Sequence, residues 1–196
     1  MRGRCVKVKV RGKSFDTAHP IWVNGKYILM PGKGCYIDKG GYLGSNIYQI
    51  NEVTLCRQTA AVDRMEREIY ENDILLYETE NEIGYFIVYD TEIVVDIING
   101  EILELRLLQK EELSIIGNQI DFPDFIDGIT YCAENNLELP YLPALNTQTT
   151  KYPYFKMKCL KCGKTVLSCA YMAKHIECGG YFKVDFTTKV YREREK

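Results

Sequence analysis

Apolar and polar residues alternate in short runs over most of the first 118 positions, and nearly every run ends at a turn signal. Tyr85-Phe86-Ile87-Val88-Tyr89 is apolar and aromatic, and Ile93-Val94-Val95-Asp96-Ile97-Ile98 is β-branched, as strands prefer. Asn99-Gly100 then gives a type I′ hairpin signal before Glu101-Ile102-Leu103-Glu104-Leu105-Arg106-Leu107. Asn24-Gly25, between Ile21-Trp22-Val23 and Tyr27-Ile28-Leu29, predicts a second hairpin of the same kind. Glycines at 32, 34, 40, 41 and 44 punctuate the next stretch, and Ile74-Leu75-Leu76-Tyr77 reads as a buried strand. Residues 63–73 are charged enough to mimic a helix, but the runs around them are strand-like. Many short strands with closely spaced turns predict a small antiparallel barrel or sandwich.

The period changes after residue 122. Pro123, followed by Phe125, Ile126, Ile129 and Cys132 at helical spacing, predicts a helix over 123–137. Pro140, Pro143 and Pro153 then flank a polar run, Asn146-Thr147-Gln148-Thr149-Thr150, which reads as a linker. The expected fold class is therefore mainly β. A small barrel-like antiparallel domain with a short helix occupies 1–139, a linker 140–152, and a C-terminal metal-binding module 153–196.

Composition narrows the classes. Of 196 residues, 46% are hydrophobic and 27% charged, which excludes a disordered or fibrous chain. No apolar run approaches the roughly 20 residues that span a bilayer. The N-terminal Met1-Arg2-Gly3-Arg4-Cys5-Val6-Lys7-Val8-Lys9 lacks the apolar stretch of a signal peptide, so a cytoplasmic protein is expected. Four of the eight cysteines (Cys5, Cys35, Cys56, Cys132) are scattered singly, and the others fall within twenty residues near the C-terminus. In a reducing compartment that pattern favours a metal site with isolated core thiols over a disulfide framework. The net charge of −2 is segregated: residues 1–60 sum to +7, 61–150 to −16 and 151–196 to +7. Either the three parts meet different partners, or the basic tail folds back on the acidic middle.

The C-terminal cluster has the spacing Cys-x2-Cys-x12-His-x2-Cys through Cys159, Cys162, His175 and Cys178. Two thiolates across a tight turn, with Gly163 to let the backbone curl, form one edge of a tetrahedral site. His175 and Cys178, three apart, would share a helix face and form the other. This predicts one structural Zn²⁺, with no position left for water. Val166 and Met172 stand where a ββα finger places its miniature core, whereas the alternation over 181–191 fits a ribbon with an added strand. Cys169 in place of Cys178 is a variant ligand set. A module this small folds only with its metal.

Other constellations are weak. His19, the only other histidine, precedes Pro20 in a loop, and no cysteine nearby makes it a catalytic pair. Pro31-Gly32-Lys33-Gly34 lacks the spacing of a phosphate loop. Glu66, Glu68, Glu71 and Asp73 read as a solvated face. Lys156, Lys158, Lys161, Lys164 and Lys174, interleaved with Tyr154, Phe155, Tyr171 and Tyr181, either contact nucleic-acid phosphates or form a solvated lysine-rich surface.

The segment Thr59-Ala60-Ala61-Val62-Asp63-Arg64-Met65-Glu66-Arg67-Glu68-Ile69-Tyr70-Glu71-Asn72-Asp73-Ile74 resembles the signature of the YopX-like phage proteins. Ile115-Ile116-Gly117-Asn118-Gln119-Ile120-Asp121-Phe122-Pro123 is similar to the family's closing element. Arg11-Gly12-Lys13 and Trp22-Val23-Asn24-Gly25-Lys26-Tyr27 are similar to its opening. The resemblance covers about residues 8–127. It departs at Ala60, where the family has glycine, and at Met65-Glu66, where it often has Asn-Gly. It implies a mainly β, barrel-like phage or prophage accessory protein with no catalytic residues to carry over. Such a protein would act by binding a host or phage protein, with homo-oligomers through the barrel in keeping with the fold. A nucleic-acid-binding regulator using the basic zinc module is the alternative.

Overall fold

The computed structural model describes residues 9–15, 20–40, 46–137, 139, 154–168 and 172–190, with the backbone alone for 154–155, 167–168, 172 and 184–190. The expected linker 140–152 and His19 lie outside the described residues.

The first sheet contains β1 (Lys9–Lys13), β2 (Trp22–Met30), β3 (Gly34–Asp38), β4 (Ile47–Ile50), β5 (Cys56–Val62) and β6 (Glu68–Tyr70), in the order β4-β3-β2-β1-β5-β6. Every pairing is antiparallel. The sheet curls into a half-barrel because the end of β1 also meets β4. Ser14 bridges to Ile50, the Phe15 N–H donates to the Gln49 carbonyl, and the Asn51 N–H donates to the Lys13 carbonyl. Val10, Val23, Ile37 and Ile50 fill the inside of the curl. Such curvature needs residues without side chains. A Cβ on Gly12 would lie 2.3 Å from Ile50 Cγ2, and one on Gly25 would lie 2.2 Å from the Asp38 carbonyl oxygen. Asn24-Gly25 therefore sits in mid-strand, not in a hairpin turn: β2 runs straight through it, paired with Arg11 and Val10 of β1.

The second sheet contains β7 (Asp73–Glu78), β8 (Ile83–Val88), β9 (Ile93–Asp96), β10 (Ile102–Glu104) and β11 (Leu113–Asn118), in the order β10-β9-β8-β7-β11. The expected buried strand 74–77 is the centre of β7. Leu75 packs on one face with Ile69, Phe86, Val88 and Leu113, while Ile74 and Leu76 pack on the other. Asn99-Gly100 does join β9 to β10, with Gly100 at φ +70°, but through a longer turn than expected. The Asp96 carboxylate accepts the N–H groups of Ile98 and Asn99 and so ends β9 early. After β10, Leu105–Leu107 form a 3-10 turn that tucks Leu105 into the core.

The expected helix is α1 (Pro123–Glu134), shorter than 123–137 at its C-terminal end. Asn136 takes a left-handed φ of 50°, and the Leu137 N–H donates to the Cys132 carbonyl, which stops the helix. Phe125, Ile129 and Cys132, one face at i, i+4 and i+7, are buried. The last sheet contains β12 (Tyr154–Cys159), β13 (Thr165–Ser168), β14 (Met172–His175) and β15 (Gly180–Val190), in the order β13-β12-β15-β14. One apolar cluster joins the second sheet to the helix and this C-terminal ribbon. It holds Ile74, Leu76, Tyr85 and Ile116, then Phe125, Ile129 and Cys132, then Met157, Cys159, Tyr181 and Phe182.

Ion pairs close the basic N-terminal part onto the acidic middle. Along β1, Val10 and Gly12 turn into the half-barrel while Lys9, Arg11 and Lys13 take the opposite face. Lys9 pairs with Glu68, Arg11 with Asp73 and Lys13 with Asp121; next to β1, Arg57 of β5 pairs with Glu71. The Arg11 guanidinium lies 4.9 Å from the Trp22 ring centroid and 4.6 Å from that of Tyr70. Asp73, 1% exposed, also accepts the Tyr70 N–H at 2.8 Å and the Asn118 amide at 3.2 Å. The solvated face expected of the acidic run is thus limited to Glu66, because Asp73 and Glu71 are drawn inward by these cations.

Candidate metal centre

Two tight turns of the same construction face each other at one end of the ribbon. In each, the first candidate ligand ends a strand, two residues follow, and the second precedes a glycine. Cys159 ends β12, with Cys162 and Gly163 after it; His175 ends β14, with Cys178 and Gly179 after it. The Gly163 N–H donates to the Cys159 carbonyl and the Gly179 N–H to the His175 carbonyl, both at 2.9 Å. Closing these turns puts Gly163 at φ +77° and Gly179 at φ +67°, a region costly for residues with a Cβ. The β12–β15 ladder, in which Cys159 faces Phe182, brings the two turns together.

The expected ligand set is assembled. One donor atom from each of Cys159, Cys162, His175 and Cys178 lies within 4.8 Å of every other. His175 Nδ1 is 3.1 Å from Cys178 Sγ and 3.3 Å from Cys162 Sγ, and the sulfurs of Cys159 and Cys178 are 3.5 Å apart. Three thiols and an imidazole at these separations can hold one metal ion. Burial pushes the Cys159 thiol up. The Cys162 N–H, His175, the Lys161 N–H and Cys178 outweigh that and bring it down to about 6. Its thiolate, the form that binds metal, is therefore favoured near neutrality. The His175 ring lies 4.6 Å from the Phe182 ring, centroid to centroid, so the imidazole rests on the shared apolar cluster.

The local fold corrects one expectation. His175 and Cys178 do not share a helix face: His175 ends a strand and Cys178 lies in the turn after it, so the module is a ribbon and not a ββα finger. The spacing x2 suits both forms, which is why the ligands were legible and the helix was not. Val166 is half-buried against the shared cluster; the side chain of Met172 and all of Cys169 lie outside the described residues. Cys35, Cys56 and Cys132 are buried, unbridged thiols, in keeping with isolated core cysteines, and Cys5 lies outside the described residues.

Of the lysines singled out, Lys156, Lys158, Lys161, Lys164 and Lys174 are all exposed, and Lys164 pairs with Glu177 at 2.7 Å. Among their aromatic neighbours Tyr181 is buried against Tyr131 of α1, with ring centroids 5.2 Å apart, and offers no surface for stacking. The ribbon touches the acidic part at α1, where the Lys174 N–H donates to Asp124 Oδ2 at 3.1 Å. Glu177 is a residue that the sequence reading passed over; it lies 3.2 Å from His175 Nε2.

Comparison with protein-family models, with curated proteins and with solved structures finds no match to this chain.

Proposed function

We propose that this chain is a non-catalytic binding protein of the YopX-like phage kind, held at its C-terminal end by one structural Zn²⁺. The observation that carries the reading is the Cys3His set: four protein donors within 4.8 Å of one another would complete the shell of a four-coordinate ion and leave no position for water or substrate. Zinc suits the set best, since three thiolates and one imidazole are soft to borderline donors at tetrahedral spacing. Zn–S and Zn–N bonds of about 2.3 and 2.0–2.1 Å imply edges of roughly 3.4–3.8 Å. His175 Nδ1 lies 3.1 and 3.3 Å from the sulfurs of Cys178 and Cys162, the sulfurs of Cys159 and Cys178 are 3.5 Å apart, and the whole set lies within 4.8 Å.

The polar residues that carry the family resemblance support a binding role over a catalytic one, since they are consumed in the fold. Asp63 accepts N–H groups from Met65, Arg67 and Ile115, Glu68 and Asp73 hold Lys9 and Arg11, and Asn118 donates to Asp73. A host or phage protein in the bacterial cytoplasm is the proposed partner. The surface that suits it is the outer edge of the second sheet. There Ile102 of β10, the edge strand of its sheet among the described residues, and Leu107 of the turn after it are 68% and 65% exposed, near Glu101 and Glu104. Affinity capture from host lysate tests this with the zinc-loaded protein and its Ile102→Lys/Leu107→Lys variant. One protein retained by the first and lost by the second is expected. No specific partner for either counts against the proposal.

A second reading, nucleic-acid binding, is favoured by Lys156, Lys158, Lys161 and Lys174, which are exposed and in no ion pair among the described residues. It predicts an affinity falling steeply with salt, by about 0.7–0.9 in log–log slope per lysine engaged.

A further inference from the structure

The two turns of the metal centre are joined by more than their ligands. Glu177 stands between His175 and Cys178, and its Oε2 lies 3.2 Å from His175 Nε2 and 2.7 Å from Lys164 Nζ. Lys164 follows Gly163 directly, so the chain His175–Glu177–Lys164 runs from the second turn back to the first. His175 Nδ1 meanwhile faces two of the three sulfurs. An imidazole can turn only one nitrogen to a metal, and the hydrogen bond at the other fixes which one.

From this we infer that Glu177 is a positioning residue for the metal centre: it accepts the Nε2–H of His175 and so sets Nδ1 as the ligand atom, with Lys164 holding the carboxylate in place. The inference rests on the metal reading above and adds to it a role for a side chain outside the four ligands. Phe182, tilted against the ring with centroids 4.6 Å apart, restricts the movement of the imidazole, but an apolar face cannot choose between its nitrogens. The choice falls to the polar partner. Both Glu177 and Lys164 are largely solvent-exposed, so replacing either leaves the packed core untouched.

The test is zinc competition against a chromophoric chelator, with the full chain, its Glu177→Ala and Glu177→Gln variants, and Lys164→Met. Loss of such a partner typically weakens metal affinity about 10- to 100-fold. Because Glu177 is exposed, the loss expected for Glu177→Ala is about tenfold, with smaller losses for Glu177→Gln and Lys164→Met. Nitrogen-15 spectra of the zinc-loaded chain add a second readout, simple to assign because the sequence has only two histidines. They should show His175 protonated at Nε2 and metal-bound at Nδ1. Wild-type affinity in Glu177→Ala, or zinc on Nε2, overturns the inference while leaving the metal site intact. Failure of the unmodified chain to take up zinc removes the metal reading itself.

Discussion

Glu66 occupies a position where the backbone favours glycine, with φ of 61° in the turn between β5 and β6. This is the position at which the YopX-like signature carries glycine, so the departure seen in the sequence has a price in backbone strain. Replacing Glu66 by glycine should raise stability by about 0.5–1 kcal/mol, because the strain relieved exceeds the loss of an exposed pair with Lys110. A shift of the urea midpoint to higher concentration at unchanged slope would show it. Asp63 holds the same turn from inside, fully buried, with Arg67 Nε at 2.7 Å. Burial pushes its carboxyl up, but Arg67 and the N–H groups of Arg67 and Ile115 pull harder, so it lies below the usual carboxylate range. The stability it contributes is therefore present above about pH 4, and is lost as the pH falls through its folded value. Asp63→Asn should cost about 3 kcal/mol at pH 7 and progressively less at lower pH; a cost independent of pH between 7 and 3 would contradict this.

Among the elements, the strands of the second sheet and the helix were legible in the sequence, because periodicity reports which face is buried. The Asn24-Gly25 hairpin was not. The same dipeptide serves a tight turn or a crowded strand, and only the approach of the Asp38 carbonyl from β3 decides between them. The difference is testable at Asn24, which is exposed on β2 opposite Arg11. In a type I′ turn Asn24→Thr would cost over 1 kcal/mol, since the β-branched residue would need a positive φ. In a strand it should be neutral or slightly stabilising. Thermal unfolding should find the latter. The ribbon makes the same point from the other side. Ligand spacing is a local property, so Cys159, Cys162, His175 and Cys178 could be read directly. Whether a strand or a helix delivers His175 depends on pairing with β15, which no local pattern reports.

For the whole molecule, part of the charge segregation along the chain is internal wiring between its first two parts. The cations of β1 and β5 neutralise acids of residues 61–150, and the ribbon adds its own contact to that acidic part at Asp124. The shared apolar cluster means that a metal bound here would order more than its own turns. Phe182 lies between His175 and the cluster that includes Phe125, Ile129 and Ile74. Removing the metal should therefore speed hydrogen exchange in α1 and along β7 as well as in the ribbon. Exchange confined to residues 154–190 after chelation would show that the ribbon is energetically separate.

X-ray absorption at the zinc edge, together with metal content, tests the closed coordination shell most directly. Purified chain should hold one zinc per molecule, with three sulfurs at about 2.3 Å, one nitrogen at 2.0–2.1 Å and no oxygen neighbour. Metal at well below one equivalent, or a shell containing water, would contradict the structural site and everything built on it.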